Sequence, residues 1–215
     1  MTKNFGEGMM KKFLGIMILT LASLLAFPAW SAELSPDRLV DKTVKEVMEI
    51  IQKDEELKNG NKEKMLDLIE TKILPHFNFS RMTQLAMGQH WSTAAPEQQQ
   101  KLVNEFRTLL VRTYSNALNS HSHETIKVNP VKQLGDKTET TIRTVVIQGN
   151  GKEPLPIDYS MEKKPDGWKV YDVTVAGVSL VTNYRGSFNS QVRKGGVEGL
   201  LKVLTDKNKS LEGKK

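Results

Sequence analysis

The sequence predicts an α+β domain with helices on one face of an antiparallel sheet of about four strands. Three observations predict it. Apolar residues recur at helical spacing from Pro36 to Asn119, the period changes to two after His121, and turn residues then separate the alternating segments. Helical spacing returns from Leu180 to Lys207, so helices also close the chain.

The N-terminal residues read as a targeting segment. Met9-Met10-Lys11-Lys12 precedes an apolar or small run from Phe13 to Phe27, fifteen residues long, which is short for a bilayer span and typical of a signal-peptide core. Pro28 breaks the run, and Ala29 and Ser31 supply small residues at −3 and −1 for cleavage after Ser31. Cleavage after Ala32 would place Trp30 at −3. Residues 1–31 are therefore expected to be a signal peptide with an unrelated extension, Met1 to Gly8, and a true start at Met9 or Met10. An uncleaved anchor is the alternative. Residues 32–208 form one domain on this reading, and 209–215 a polar tail that frays. There is no cysteine, which excludes lipoprotein processing and disulfide staples, so stability rests on burial.

Formal charge is +6, and the leader holds three lysines and one glutamate, which leaves +4 on the rest. That is mild for a nucleic-acid binder, and no aromatic residues interleave with the basic ones. Exported protein, no nucleic acid, is the expectation.

Each element follows from local chemistry. Ser35-Pro36-Asp37 opens a helix, with a cap, a first-turn proline and an acid at the positive dipole end. Leu39, Val40, Val44, Val47, Met48 and Ile51 mark its apolar face to about Gln52, and Lys53 to Gly60 reads as loop. A second helix, Lys62 to Leu74, buries Met65, Leu66, Ile69 and Ile73 before Pro75 stops it. Phe77-Asn78-Phe79 is extended, Ser80 caps a short helix to about Met87, and Gly88 to Ala95 is a turn region holding Trp91. Pro96 opens the longest helix, to about Asn119, with Leu102, Val103, Phe106, Leu109, Leu110, Tyr114 and Leu118 inward.

Strands are expected at Thr125–Val131, Glu139–Gln148, Pro154–Glu162 and Gly167–Val175, joined at Gly135-Asp136, Gly149-Asn150-Gly151 and Pro165-Asp166-Gly167. Ser179 caps a helix from Leu180 to Arg193, Gly195 ends it, and a last helix runs from Val197 to Lys207.

Catalysis finds little support. His121, His123 and Glu124 share a loop but lack further ligands nearby, so no metal site is expected; His76 and His90 are isolated. Asp158-Tyr159 and Tyr171-Asp172 supply residue types used by isomerases, yet neighbours in a strand point to opposite faces. The chain is not expected to be an enzyme. The most informative stretch is GWKVYDVTVAGVSLVTNYRGSF, residues 167–188, where a strand with apolar groups on both faces runs almost directly into a helix. It holds no nucleophile with an adjacent base and no glycine phosphate loop. It suits an apolar ligand.

The same stretch carries a resemblance. GWKVYDV, GVSLVTNYR, Phe188 and Gly195-Gly196-x-x-Gly199-Leu200 resemble the MlaC, or toluene-tolerance, family of periplasmic phospholipid-binding proteins. Leu74-Pro75-x-Phe77, Met87-Gly88-x-x-Trp91, Pro96-x-Gln98, Phe106 and Thr113-Tyr114 agree with it. The resemblance implies a curved, cystatin- or NTF2-like sheet whose helices enclose an apolar cavity. It implies a periplasmic phospholipid carrier that maintains outer-membrane lipid asymmetry and needs no cofactor. Partners would be an outer-membrane lipoprotein complex and an inner-membrane ABC transporter with an MCE-domain subunit. A carrier of another lipid, such as a hopanoid-type terpenoid, and an exported NTF2-like enzyme are the alternatives. Relatives place Thr or Ser before the proline that opens the longest helix; Ala95 stands there, a loss of about 1 kcal/mol unless Thr93 substitutes.

The residues expected to line the cavity are Phe77, Leu85, Phe106, Leu110 and Tyr114 from the helices and Ile142, Tyr159, Val170 and Val175 from the strands. Val178, Val181, Tyr184 and Phe188 at the strand–helix junction complete the set, with Val178 the foremost because Gly177 and Ser179 fix its position. Arg143, the lone charge in its strand, and Lys152 in the next turn are expected to join a basic docking patch; a snorkelling arginine and a solvated lysine are the alternative.

Overall fold

The computed structural model describes residues 34–120, 124–149 and 151–212. The leader and its cleavage site, the His121/His123 pair, Asn150 of the second turn and residues 213–215 lie outside the described residues. Among the described residues no helix is long and apolar enough to cross a membrane.

Helix α1, Pro36–Lys53, turns Val40, Val47 and Ile51 inward. Ser35 has the extended backbone of a cap, but its side chain accepts no hydrogen bond from the first turn. The expected loop holds a one-turn helix, α2 (Glu55–Lys58). The Asp54 carboxylate starts it by accepting from the amides of Glu56 at 2.8 Å and Leu57 at 3.2 Å. Its charged surface hides Leu57, which is buried.

The next helix is shorter than the spacing predicts. Helix α3 covers Lys62–Leu68, and the chain then widens into a π turn, Ile69–Ile73, and tightens into a 3-10 turn, Leu74–His76. Pro75 supplies the reason: it has no amide hydrogen, and its ring crowds the carbonyl one turn back. Asn78, not Ser80, caps α4 (Phe79–Met87), its side-chain oxygen accepting from Arg81 N at 3.0 Å.

Gly88 ends α4 at φ +55, and a β-carbon there would sit 2.9 Å from Nη2 and 3.0 Å from Nε of Arg185. With ψ at −129 this backbone suits glycine alone. Gly88→Ala is expected to lose about 1–3 kcal/mol in urea unfolding, since the guanidinium can retreat but the backbone cannot relax in place.

A 3-10 turn, Gly88–Thr93, leads to α5, Pro96–Ser120. Thr93 does not cap it; its hydroxyl donates to His90 O at 2.8 Å. Gln98 reaches back instead, its Oε1 accepting from Ala95 N at 2.9 Å, the half of a capping box that needs no hydroxyl at the cap.

The sheet has five strands rather than four, in the order β1 (Thr125–Val128), β2 (Glu139–Ile147), β3 (Leu155–Lys164), β4 (Gly167–Val175), β5 (Val178–Ser179), all neighbours antiparallel. The fifth is two residues long and follows a two-residue turn, Ala176 (φ +49) and Gly177 (φ +82). Between β3 and β4 the register shifts: Met161 faces Val170 and Ser160 faces Asp172, leaving Tyr171 as the extra residue of a bulge. The bulge lets Trp168 and Val170, then Val173 and Val175, share the inner face.

Ser179 Oγ accepts from Thr182 N at 3.0 Å and donates to Asp172 Oδ2 at 2.6 Å, while Asp172 Oδ1 accepts from Val181 N at 3.1 Å. Helix α6, Leu180–Glu212, leaves helical geometry only at Gly195 and Gly196. It outruns the expected end at Lys207. Asn208 is buried against α5, donating to Glu105 Oε2 at 2.6 Å, and Arg112 Nη1 donates to Asn208 O at 2.6 Å; the helix continues to Glu212, into the stretch expected as tail.

Three apolar clusters result. One joins α4, α5 and α6 around Phe106, Phe188 and Leu200; a second joins α1 to α3 around Ile51, Leu57 and Met65; a third covers the sheet with Val40, Ile142, Met161 and Trp168.

Candidate functional site

The three clusters do not close on one another. They leave a cavity of about 330 Å³, walled by α1, the two turns after α3, α4, α5 and strands β1 to β4. That volume falls within the range of roughly 300–1,000 Å³ typical of ligand sites. Period-two alternation on β3 delivers Leu155, Ile157, Tyr159 and Met161 to it, and β4 contributes Val170, Val173 and Val175. Opposite them α1 presents Leu39, Thr43, Val44 and Met48, and α5 presents Leu110, Tyr114 and Leu118.

Polar groups in this wall are few, and a buried hydroxyl, Thr144, lies behind one of them. Thr144 Oγ1 donates to Ile157 O at 2.6 Å, and the phenol of Tyr159 hydrogen-bonds to Thr144; burial pushes that phenol above its ordinary pKa. His76 lines the cavity from the 3-10 turn. Burial, then Lys169 and Lys42, hold its imidazole below the ordinary value, with Glu46 opposing them. Such a wall can enclose hydrocarbon, but it presents no acid and base across a reacting atom.

Six of the thirteen residues expected at the cavity lie on it: Phe77, Leu110, Tyr114, Tyr159, Val170 and Val175. The other seven lie elsewhere. Phe106, Val181, Tyr184 and Phe188 pack in the α4–α5–α6 core, with ring centroids 5.0 Å apart for both Phe106–Tyr184 and Phe106–Phe188. Burial, with the nearby Tyr114, pushes the Tyr184 phenol up to about 12. Ile142 is closed within the sheet cluster, Leu85 is at the surface of α4, and Val178 is 58% exposed at the hairpin end. The helical row 181–184–188 therefore packs into the α4–α5–α6 core, and α6 reaches the cavity through Leu180. The α1 row and the inward set of β3 were legible as apolar faces, but nothing in their spacing separates cavity wall from core.

Asp158 and Asp172 do not meet. Asp158 stands opposite Arg143 and Thr174, while Asp172 stands opposite Ser160 and caps α6. Tyr171 stacks beneath Arg81, 3.9 Å from ring centre to guanidinium, and donates to Glu139 at 3.2 Å. Among the described residues no three His, Asp or Glu side chains form a metal cluster. Arg143 is exposed midway along β2, and Lys152 is exposed in the turn beyond its end.

Comparison with known proteins adds independent findings. The family model described as MlaC protein matches residues 41–206. The chain is 26% identical over 194 residues to the intermembrane phospholipid transport system binding protein MlaC of Haemophilus influenzae, covering 89% of this chain and 91% of that protein. It is 26% identical to the toluene tolerance protein ttg2D of Pseudomonas putida, with 82% of each chain covered. Among solved structures it matches a phospholipid-binding protein from Ralstonia solanacearum in complex with a phospholipid, with TM-score 0.76 and 38% identity over 83% of this chain and 99% of that one.

Proposed function

The chain belongs to the MlaC family, and on that premise we propose that it carries phospholipid through the periplasm with the acyl chains held in the cavity described above. The observation that supports this most is the cavity wall, apolar on every element that contributes to it. Each methylene exposed to water costs about 0.8 kcal/mol, so two acyl chains with roughly thirty methylenes would cost over 20 kcal/mol to carry bare. A carrier offers a cavity of free energy similar to the membrane's and leaves the charged headgroup hydrated. No bond is made or broken, so no catalytic group is needed.

In this reading residues 1–31 direct export and are removed near Ser31 or Ala32. An outer-membrane lipoprotein complex and an inner-membrane ABC transporter with an MCE-domain subunit exchange lipid with the carrier, and Arg143 and Lys152 contribute to a basic surface for one of them.

Native mass spectrometry of protein purified without detergent tests the reading. Stoichiometric phospholipid, identified after denaturation, is expected. A chain that remains empty after incubation with liposomes would make the cavity a packing defect and sink the proposal.

A further inference from the structure

One stretch of the cavity wall differs from the rest. Where α1, the turns after α3 and β4 meet, His76 lines the cavity beside Leu39, Thr43 and Phe77. Of the described lining residues it alone can take a positive charge; the other titratable ones, Tyr114 and Tyr159, are phenols. Charged groups close enough to act on it or on its neighbours come from the elements packed there: Lys42 and Glu46 of α1, Lys72 of the π turn and Lys169 of β4.

The balance of these groups is positive. Lys72 is held by Glu46 at 2.5 Å. Lys169 donates to Pro75 O at 2.8 Å and pairs with Asp166 at 3.0 Å. Lys42, one helical turn before Glu46 and next to the lining residue Thr43, has no salt bridge among the described residues. Two carboxylates therefore answer three lysines, and His76 both lines the hydrocarbon wall and feels this surplus. A molecule with tails in the cavity and an anion at its head would meet both surfaces at once.

We infer that Lys42, His76 and Lys169 form a seat for the phosphate of an anionic glycerophospholipid whose acyl chains occupy the cavity. The inference rests on the carrier reading above and adds headgroup selectivity to it. A phosphodiester accepts hydrogen bonds from an ammonium and an imidazolium N–H, and these are stronger than neutral ones. A headgroup with its own cation, such as ethanolamine, brings like charge against Lys42 and Lys169; glycerol does not. Burial and the two lysines disfavour protonated His76. A bound phosphate reverses that preference, so seating it takes up a proton, and the preference for anionic lipid grows as pH falls.

The test loads lipid-free protein from vesicles of equal phosphatidylglycerol and phosphatidylethanolamine at about pH 8 and about pH 5.5, then counts bound lipids by mass spectrometry. Phosphatidylglycerol is expected to exceed phosphatidylethanolamine at both pH values, because Lys42 and Lys169 stay charged, and by more at the lower, about fivefold. His76→Gln should remove the pH dependence, and Lys42→Gln, at an exposed position, should lower the preference at both values. Bound lipid in the ratio supplied, at both pH values, overturns the seat and leaves the carrier reading intact; protein that binds no lipid overturns both. Inorganic phosphate added to the lipid-free protein separates the remaining source. If it moves the His76 ring titration seen by NMR, while protein loaded with phosphatidylglycerol titrates as the lipid-free protein does, the group binds a free anion and the headgroup assignment falls.

Discussion

Val173→Asp is expected to empty the cavity, and Val178→Asp to leave it loaded. Val173 lies on β4 opposite Tyr159, and both side chains line the cavity. A carboxylate there would face acyl chains with no cation beside it, since His76 is the one described lining residue able to carry positive charge. An unpaired charge or a neutralised acid in that setting costs at least about 3 kcal/mol of lipid affinity, on the order of a hundredfold. The empty variant admits water to the same space, so the folded chain itself loses much less. Val178 pairs with Val175, which does line the cavity, but its own side chain is 58% exposed at the end of the hairpin, where an aspartate stays hydrated. Native mass spectrometry of both variants, with circular dichroism to confirm folding, should show lipid lost from the first and kept by the second. Lipid retained by a folded Val173→Asp would refute the placement of the acyl chains.

That contrast marks where sequence stops speaking. Alternation identified four strands, and β4 spans the residues expected of it, because a turn and a run of β-branched and aromatic residues bound it on both sides. The two-residue β5 was hidden because two residues cannot show a period. The bulge at Tyr171 was hidden too, and it decides that Val173 and not Asp172 follows Val170 onto the inner face. Pro75 announced the end of a helix, but not that the preceding turn would widen to π geometry. The row Val181, Tyr184 and Phe188 was read correctly as helical and expected at the cavity, yet it packs as core around Phe106, since periodicity names an apolar face and not what fills the space before it. Cavity and core are made of the same residues. What separates them is the spacing between layers, a tertiary property with no local signature.

Arg81→Met is expected to destabilise the fold by about 2–3 kcal/mol at neutral pH, and by less in acid. Glu139 and Glu162 stand directly opposite each other on β2 and β3, a like-charge pair that disfavours the register on its own. Arg81 resolves it, with Nη1 2.6 Å from Glu162 and Nη2 2.8 Å from Glu139, while Asn78 Nδ2 donates to Glu162 at 2.6 Å. The Arg81 side chain is 26% exposed, which places the loss below that of a fully buried pair. The hydrogen bond from Arg81 holds the Glu139 carboxyl below its ordinary value of 4.5. A depressed folded-state value means stability that is present above the unfolded value and lost as pH falls through the folded one. The variant lacks that term, so the gap between the two proteins should narrow below about pH 4.5. Arg81→Lys should recover only part of it, because a single ammonium cannot span two carboxylates as a planar fork does. Urea unfolding of all three proteins at neutral and acid pH decides the matter: a gap of equal size at both would mean that lost packing over Tyr171, and not the carboxylate pair, is what Arg81 provides.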